Sequence, residues 1–265
     1  MNTTFIIPIR VESSDRARNV RASVRYLLKN TDSFIMIKEV DDRANIPSIL
    51  EDEIKSKRVT YTFEESAGSF HRTRYLNDML QACKTPIVCN YDADVILRPD
   101  SYSLAESVIL SDQAEVVYPY PESDTGQIRL FFTNEIEKKF LETAEYESLK
   151  GSTIQMWRAH AGFCFFADRK SYIRAGAENE NFISWGPEDG ERISRFSKMG
   201  LRIARLISPV IHMEHSRSPD SDNRNPHTVD NWSLFEKLMG MNSQAMSLYL
   251  DSQEYLSRRG WRGSI

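Results

Sequence analysis

"CNYDADVILRPD", residues 89–100, is the stretch on which the reading of this chain turns. It belongs to a longer run, "TPIVCNYDADVIL" (85–97), whose composition predicts a strand, yet that run carries two acids, Asp92 and Asp94. Residues i and i+2 of a strand face the same way, so one extended segment would present both carboxylates to one side. Two like charges so placed repel unless something cationic or rich in donors lies beside them. A divalent metal that prefers oxygen ligands is the simplest such partner. The alternative is a solvated turn before "RPD" or an ion pair with Arg98, because acids at strand ends are common. The pair alone does not choose.

Upstream, "TFIIPIR" (4–10) is a short apolar run, and "ESSDRARNVRASVRYLLKN" (12–30) places Val20, Val24, Leu27 and Leu28 at helical spacing. "FIMIKEVDD" (34–42) and "VTYTF" (59–63) read as strands, and "FHRTRYLNDMLQAC" (70–83) as a helix with Tyr75, Leu76, Met79 and Leu80 along one stripe. Strands alternating with helices predict an α/β fold whose mixed, mostly parallel sheet is covered by helices on both faces. Such sheets bind ligands beyond the carboxyl ends of their strands, where Asp41, Asp42, Asp92 and Asp94 all fall. Downstream the pattern gives a helix near 101–111, a strand over 115–121 and a polar helix or excursion over 134–151. A strand turning into a short helix stopped by Gly176 (161–176) and a helix from Pro187 with acids in its first turn (186–201) come next. Strand material over 202–216 ends in two histidines, and the tail 228–258 reads as amphipathic helix. No repeat, low-complexity tract or Gly/Ser linker interrupts the chain, so a single domain over 1–265 is expected.

The 265 residues are 40% hydrophobic and 27% charged, which is ordinary globular composition. A formal net charge of −4 leaves no basic excess for phosphate neutralisation and argues against a nucleic-acid partner. The N-terminus has no positive n-region, and no run approaches the roughly 18 apolar residues a spanning helix needs. A soluble, cytoplasmic protein without a transmembrane segment is the expectation. Cys83, Cys89 and Cys164 form no CxxC pair and leave an odd count, which suits buried free thiols in a reducing compartment.

Two further features bear on the acids. "HMEH" (212–215) sets His212 and His215 three apart after a strand, and imidazoles beside carboxylates suit manganese or a related metal. Lone histidines are more often structural, and this spacing is not the helical HExxH of metalloproteases. "ENENFISWGPEDGER" (178–192) brings Trp185, a Gly-Pro turn, then Glu188 and Asp189 at a helix start. That would deliver a carboxylate into a cleft beside a flat apolar face, as a sugar site needs. A helix N-terminus with favourable acids and a core tryptophan is the bland reading.

Taken in order, "IIPIR", "FHRTRYLN", "YDADVIL", "GFCFFADRKSYIRAGAENENFISWGPEDGER" and "HMEHSR" resemble a GT-A glycosyltransferase. Within that Rossmann-like nucleotide-diphospho-sugar transferase fold they are most similar to the β-1,4-galactosyltransferase and bacterial chondroitin-polymerase-like enzymes. The resemblance covers most of 4–220 and leaves 115–155 and the tail unmatched. It implies a nucleotide-sugar-binding half over 1–100, an acceptor and catalytic half over 101–227, and a helical tail over 228–265. Pro8, Arg10, Phe70, Arg72 and Asn77 match positions that contact the uracil, ribose and diphosphate, where arginine's planar fork suits phosphate. Asp41 is counted with these donor-binding residues. Asp92 matches the acid on the donor's ribose or sugar side, Asp94 the metal ligand and His215 the metal-binding histidine, while His212 stands where galactosyltransferases carry a methionine. Asp189 matches the catalytic base of inverting enzymes. Glu188 would bond the acceptor sugar, Trp185 would ride a mobile loop over the donor, and Gly162 would allow close approach at the acceptor site. Gly186-Pro187 and Ala161-Gly162 stand where the family commonly shows Gly-Gly, and Gly190 replaces an acid of the galactosyltransferases.

The resemblance thus implies an inverting glycosyltransferase requiring Mn2+ or another divalent metal such as Mg2+. It would move a hexose or N-acetylhexosamine from a nucleotide sugar, UDP before GDP, to a glycan or glycolipid acceptor in bacterial surface polysaccharide synthesis. A lipid-linked acceptor would be met at the membrane surface, with Arg258, Arg259, Trp261 and Arg262 of the tail as the contact, against a simply solvated terminus. Two other readings stand: a haloacid-dehalogenase-like phosphatase using the DxD, and a non-catalytic sugar-binding module on the same fold.

Overall fold

In the computed structural model, which describes residues 1–262, the alternation expected of the N-terminal half is present. β1 (Thr3–Ile9), α1 (Ser14–Asn30), β2 (Phe34–Asp41), α2 (Ile46–Ile49), β3 (Val59–Glu65) and α3 (Arg72–Ala82) lead into β4 (Ile87–Tyr91). Every residue of β1 and β4 is buried, as strands covered on both faces must be. α1 starts where the Ser13 side chain accepts from the Arg16 N–H, and it buries Val20, Val24 and Leu27. Then come β5 (Val95–Ile96), α4 (Pro99–Leu110), β6 (Val116–Tyr118), β7 (Gln127–Phe131), α5 (Asn134–Thr143) and β8 (Thr153–Trp157). β9 (Cys164–Asp168), α6 (Arg169–Arg174), α7 (Glu188–Lys198), β10 (Ile203–Arg205) and β11 (Val210–Met213) follow. The chain closes with α8 (Thr228–Met239), α9 (Ser243–Asp251) and α10 (Glu254–Arg258).

The main sheet has seven strands in the order β10-β6-β9-β4-β1-β2-β3. Its pairs are parallel except those of β9, which runs antiparallel to both β4 and β6. A second, four-stranded sheet has the order β5-β11-β7-β8. One buried apolar cluster reaches from Phe5 of β1 to Trp261 beyond α10, and the three cysteines are free and buried.

Three expectations are corrected. The single strand over 85–97 is two, β4 in the main sheet and β5 in the second, so Asp92 and Asp94 lie in the passage between sheets. The strand material over 202–216 likewise divides into β10 and β11, one for each sheet, and His212 lies inside β11 rather than after it. The tail is three helices, interrupted before Asn242, whose side chain caps α9. β7 and β8 are not expected from the sequence: every residue of β8 is exposed, and β7 buries only Gln127 and Leu130, three apart, so neither shows the alternation of a half-buried strand. No helix among the described residues is long and apolar enough to cross a membrane. Of the four tail residues expected at a membrane surface, Arg258 and Arg262 are exposed and the other two are used internally. Trp261 is 7% exposed, and Arg259 bonds Asp78 at 2.7 Å and Glu180 at 2.8 Å. Residues 263–265 of that tail lie outside the described residues.

Candidate active site

The site is built where β4 leaves the main sheet. The Asp92 N–H donates to the Phe163 carbonyl at 2.9 Å, which extends the pairing with β9 by one residue. The chain then turns, and the Asp94 carbonyl accepts from the Met213 N–H of β11 at 2.8 Å. Asp92 is therefore held by the main sheet and Asp94 by the second. Their side chains find different partners, which replaces the same-facing pair expected from a continuous strand. Arg72 Nη2, at the start of α3, lies 2.5 Å from Asp92 Oδ1. His215 Nε2 lies 3.0 Å from Asp94 Oδ2, and His212 Nε2 lies 3.6 Å from Oδ1. Burial pushes the Asp92 carboxyl up against the pull of Arg72, and Asp94 and Asp189 add repulsion. Burial also opposes ionisation of Asp94, but His212 and His215 overcome it and hold that carboxyl well below the usual range.

Asp94, His212 and His215 each offer one ligand atom, and these lie within 4.8 Å of one another. Asp94 Oδ1 is buried without a hydrogen-bond partner, the condition of an acceptor that awaits a cation. His215 turns Nδ1 to the Ser216 carbonyl at 2.7 Å, which leaves Nε2 for the shared space. One carboxylate and two imidazoles fit a divalent transition metal that retains open positions for other ligands.

These groups line a cavity of about 950 Å³. Pro8, Arg10, Phe70, Arg72, Asp92, Asp94, Gly162, Trp185, Glu188, Asp189, His212 and His215 all face it, so most of the residues expected from the sequence are brought together. Arg10 is fixed by Asp220 at 2.8 Å and the Gly68 carbonyl at 2.9 Å, and it lies over the Phe70 ring. Arg72 Nη1 is buried without a partner. The Trp185 carbonyl accepts from the side-chain amides of Asn225 and Asn231 at 2.9 and 3.0 Å.

Two expected donor residues are not on the cavity wall. Asp41 accepts from the Val11 and Asp42 N–H groups at 2.9 Å each, tying the turns after β1 and β2 together. Asn77, fully buried, pairs with both the N–H and the carbonyl of Glu178 at 2.9 Å and so fixes the segment before Trp185. Both shape the cavity from behind.

Asp189 sits in the first turn of α7, where the helix dipole favours an anion. One turn later, buried Arg192 bonds Asp189 Oδ1 and also takes both oxygens of Glu178 at 3.0 and 3.1 Å. The other oxygen, Oδ2, faces Gly162 so closely that a Cβ there would lie 2.9 Å away. A side chain at position 162 would displace that carboxylate. Its neighbour Phe163 has φ +69, a strained value for a non-glycine residue, and its carbonyl is the one that receives Asp92. Arg192 was not singled out in the sequence, although its i+3 spacing from Asp189 is the spacing of helix neighbours. Glu178 gave no signal of its own, because its carboxylate partners Tyr172, Arg192 and Asn90 stand 6, 14 and 88 residues away, separations that no helix or strand period marks.

Glu188 is 7% exposed, and its Oε2 has no partner. Burial, reinforced by Asp189, pushes its pKa up to about 8, so at neutral pH it carries a proton and can donate a hydrogen bond. The unfolded chain releases that proton near the ordinary 4.5 and the folded one only near 8, so stability from this group is lost as pH rises through that window. Glu188→Gln removes the loss. Its melting temperature should gain on that of the wild type steadily between about pH 5 and about pH 9. A constant difference across that range would show that Glu188 titrates normally.

A mostly parallel sheet with one antiparallel strand, a smaller second sheet and a cavity at the passage between them define the class: the chain has the GT-A fold. It is similar over 99% of its length to the crystal structure of GalNAc-T7 with UDP, GalNAc and Mn2+, with a TM-score of 0.63 and 13% identity, and spans 54% of that chain. It is also similar, again over 99% of its length, to the mannosyltransferase PcManGT from Pyrobaculum calidifontis in complex with GDP-Man and Mn2+. There the TM-score is 0.55, the identity 14% and the share of the other chain 73%. No family model matches the chain, and no curated protein matches it.

Proposed function

We propose that this protein is an inverting, metal-dependent glycosyltransferase that moves a sugar from a nucleotide sugar to a glycan hydroxyl. The observation that carries the reading is that the Asp189 carboxylate and the Asp94, His212 and His215 cluster face one cavity. The two structures with the same fold contain nucleotides and Mn2+, which supports the donor class. The resemblance read from the sequence favours UDP over GDP and a bacterial surface polysaccharide as the setting.

Asp94, His212 and His215 would hold the divalent cation, which when bound neutralises charge developing on a departing diphosphate. The chain's own residues do the rest. Arg72 offers its unpartnered Nη1 to the donor, and Asp92, steadied by Arg72, faces the donor's ribose or sugar side. Arg10 and Phe70 wall the nucleoside end, and Trp185 gives a flat apolar face. Asp189 Oδ2 takes the proton of the acceptor hydroxyl while Arg192 keeps Oδ1 in place, so the lone pair that attacks is aimed from one side only. Attack opposite the leaving group inverts the anomeric centre. Glu188, protonated, donates to an acceptor oxygen.

A phosphatase would need Asp92 free as a nucleophile and Asp94 as a general acid. Asp92 is engaged by Arg72 and Asp94 by two imidazoles, so that reading loses its chemistry. Screening UDP- and GDP-sugars with Mn2+ tests the proposal: binding and slow hydrolysis of at least one is expected. Absence of both for every sugar would overturn it.

A further inference from the structure

We propose that Glu214, braced by Arg129, is a positioning residue that fixes the orientation and tautomer of His212 toward the cation. The inference rests on the metal-dependent reading above and concerns residues that the ligand set does not include. Glu214 follows β11 directly, and its N–H continues the pairing with β7 by donating to the Leu130 carbonyl at 2.9 Å. Its Oε1 lies 3.0 Å from His212 Nδ1. Arg129, the register partner of His212 on β7, grips both carboxylate oxygens, Nε to Oε1 at 2.7 Å and Nη2 to Oε2 at 2.9 Å. A carboxylate held in this fork accepts only, so Nδ1 of His212 carries the proton and the Nε2 lone pair is left for the cation. Arg129 is in turn packed against the rings of Phe131 and Trp157, with its guanidinium carbon 5.8 and 5.4 Å from their centroids. His215 is oriented by a backbone carbonyl instead, so only one of the two imidazoles depends on a side-chain brace. Partners of this kind hold a metal-ligating ring in place and typically contribute about 10–100-fold in affinity.

The test is titration of Mn2+ alone, with no nucleotide, counting free ion by electron paramagnetic resonance. Glu214→Ala should weaken binding by about 10–100-fold, and Glu214→Gln, which keeps an acceptor for Nδ1, by less. His212→Ala should weaken it as well, and adding Glu214→Ala to that background should change nothing further, because the brace acts only through the ring. A merely structural role would instead give losses that add. Thermal melts identify any variant that fails to fold. If Glu214→Ala does, Arg129→Met is read in its place, with a loss of several-fold expected. Wild-type affinity, within about twofold, in a folded Glu214→Ala or Arg129→Met protein overturns the inference alone. A wild-type protein that binds no Mn2+ overturns the metal-dependent reading together with it.

Discussion

Asp189→Asn should lower the rate of sugar transfer by about 10²–10⁴-fold, the usual contribution of a positioned general base, while nucleotide and Mn2+ affinities stay close to wild type. The substitution changes chemistry with little change of shape. The amide oxygen can still accept from Arg192, whose charge remains compensated by the two oxygens of Glu178. The group beside Gly162 becomes an amide nitrogen that cannot take a proton. Release of nucleoside diphosphate with acceptor present measures the rate, and calorimetric titration measures the binding. An unchanged rate would remove Asp189 from the chemistry. Intact ligand binding with no turnover even in the wild type would instead favour a sugar-binding module.

Asp94→Asn should weaken Mn2+ binding by at least about 10²-fold and take activity with it, whereas Asp92→Asn should leave Mn2+ binding nearly unchanged and weaken the donor. The asymmetry follows from the partners. Asp94 is the one acid in the group formed with His212 and His215, and its neutralisation removes the only carboxylate of that group. Asp92 is paired with Arg72, and its neutralisation leaves that guanidinium without its carboxylate partner. Equal loss of metal in the two variants would mean that both acids ligate it.

The sequence made the main sheet legible because β1, β2 and β4 are apolar runs and α1 and α3 carry clear stripes. β8 was hidden for a physical reason: a strand whose residues are all exposed, such as Thr153–Trp157, leaves no burial pattern to find, and β7, buried only at Gln127 and Leu130, lacks the alternation of a half-buried strand. The passage between sheets was hidden as well, because Val95 and Ile96 are as apolar as Ile87 and Val88, and composition does not report which sheet a residue joins. At the cavity, the residues carried by motifs, namely Asp94, His212, His215, Glu188 and Asp189, were legible as candidates. Those that act from behind, Arg192 on Asp189 and Arg129 through Glu214 on His212, are defined by contacts that sequence does not display. Asp41 and Asn77 show the converse, since they fall within the right segments but point into the scaffold.

The allocation of Asp92 to one sheet and Asp94 to the other bears on how such a site can diverge. The imidazoles and the acid beside them are held by the second sheet and its flank, whereas Asp92 is held by the first and its partner Arg72 stands at the start of α3. On the proposed function, substitutions within Val210–Met213 and its flank would retune which ion is accepted without redrawing the proposed donor pocket. The reverse holds for changes around Arg72, so descent with modification can explore the two properties one at a time.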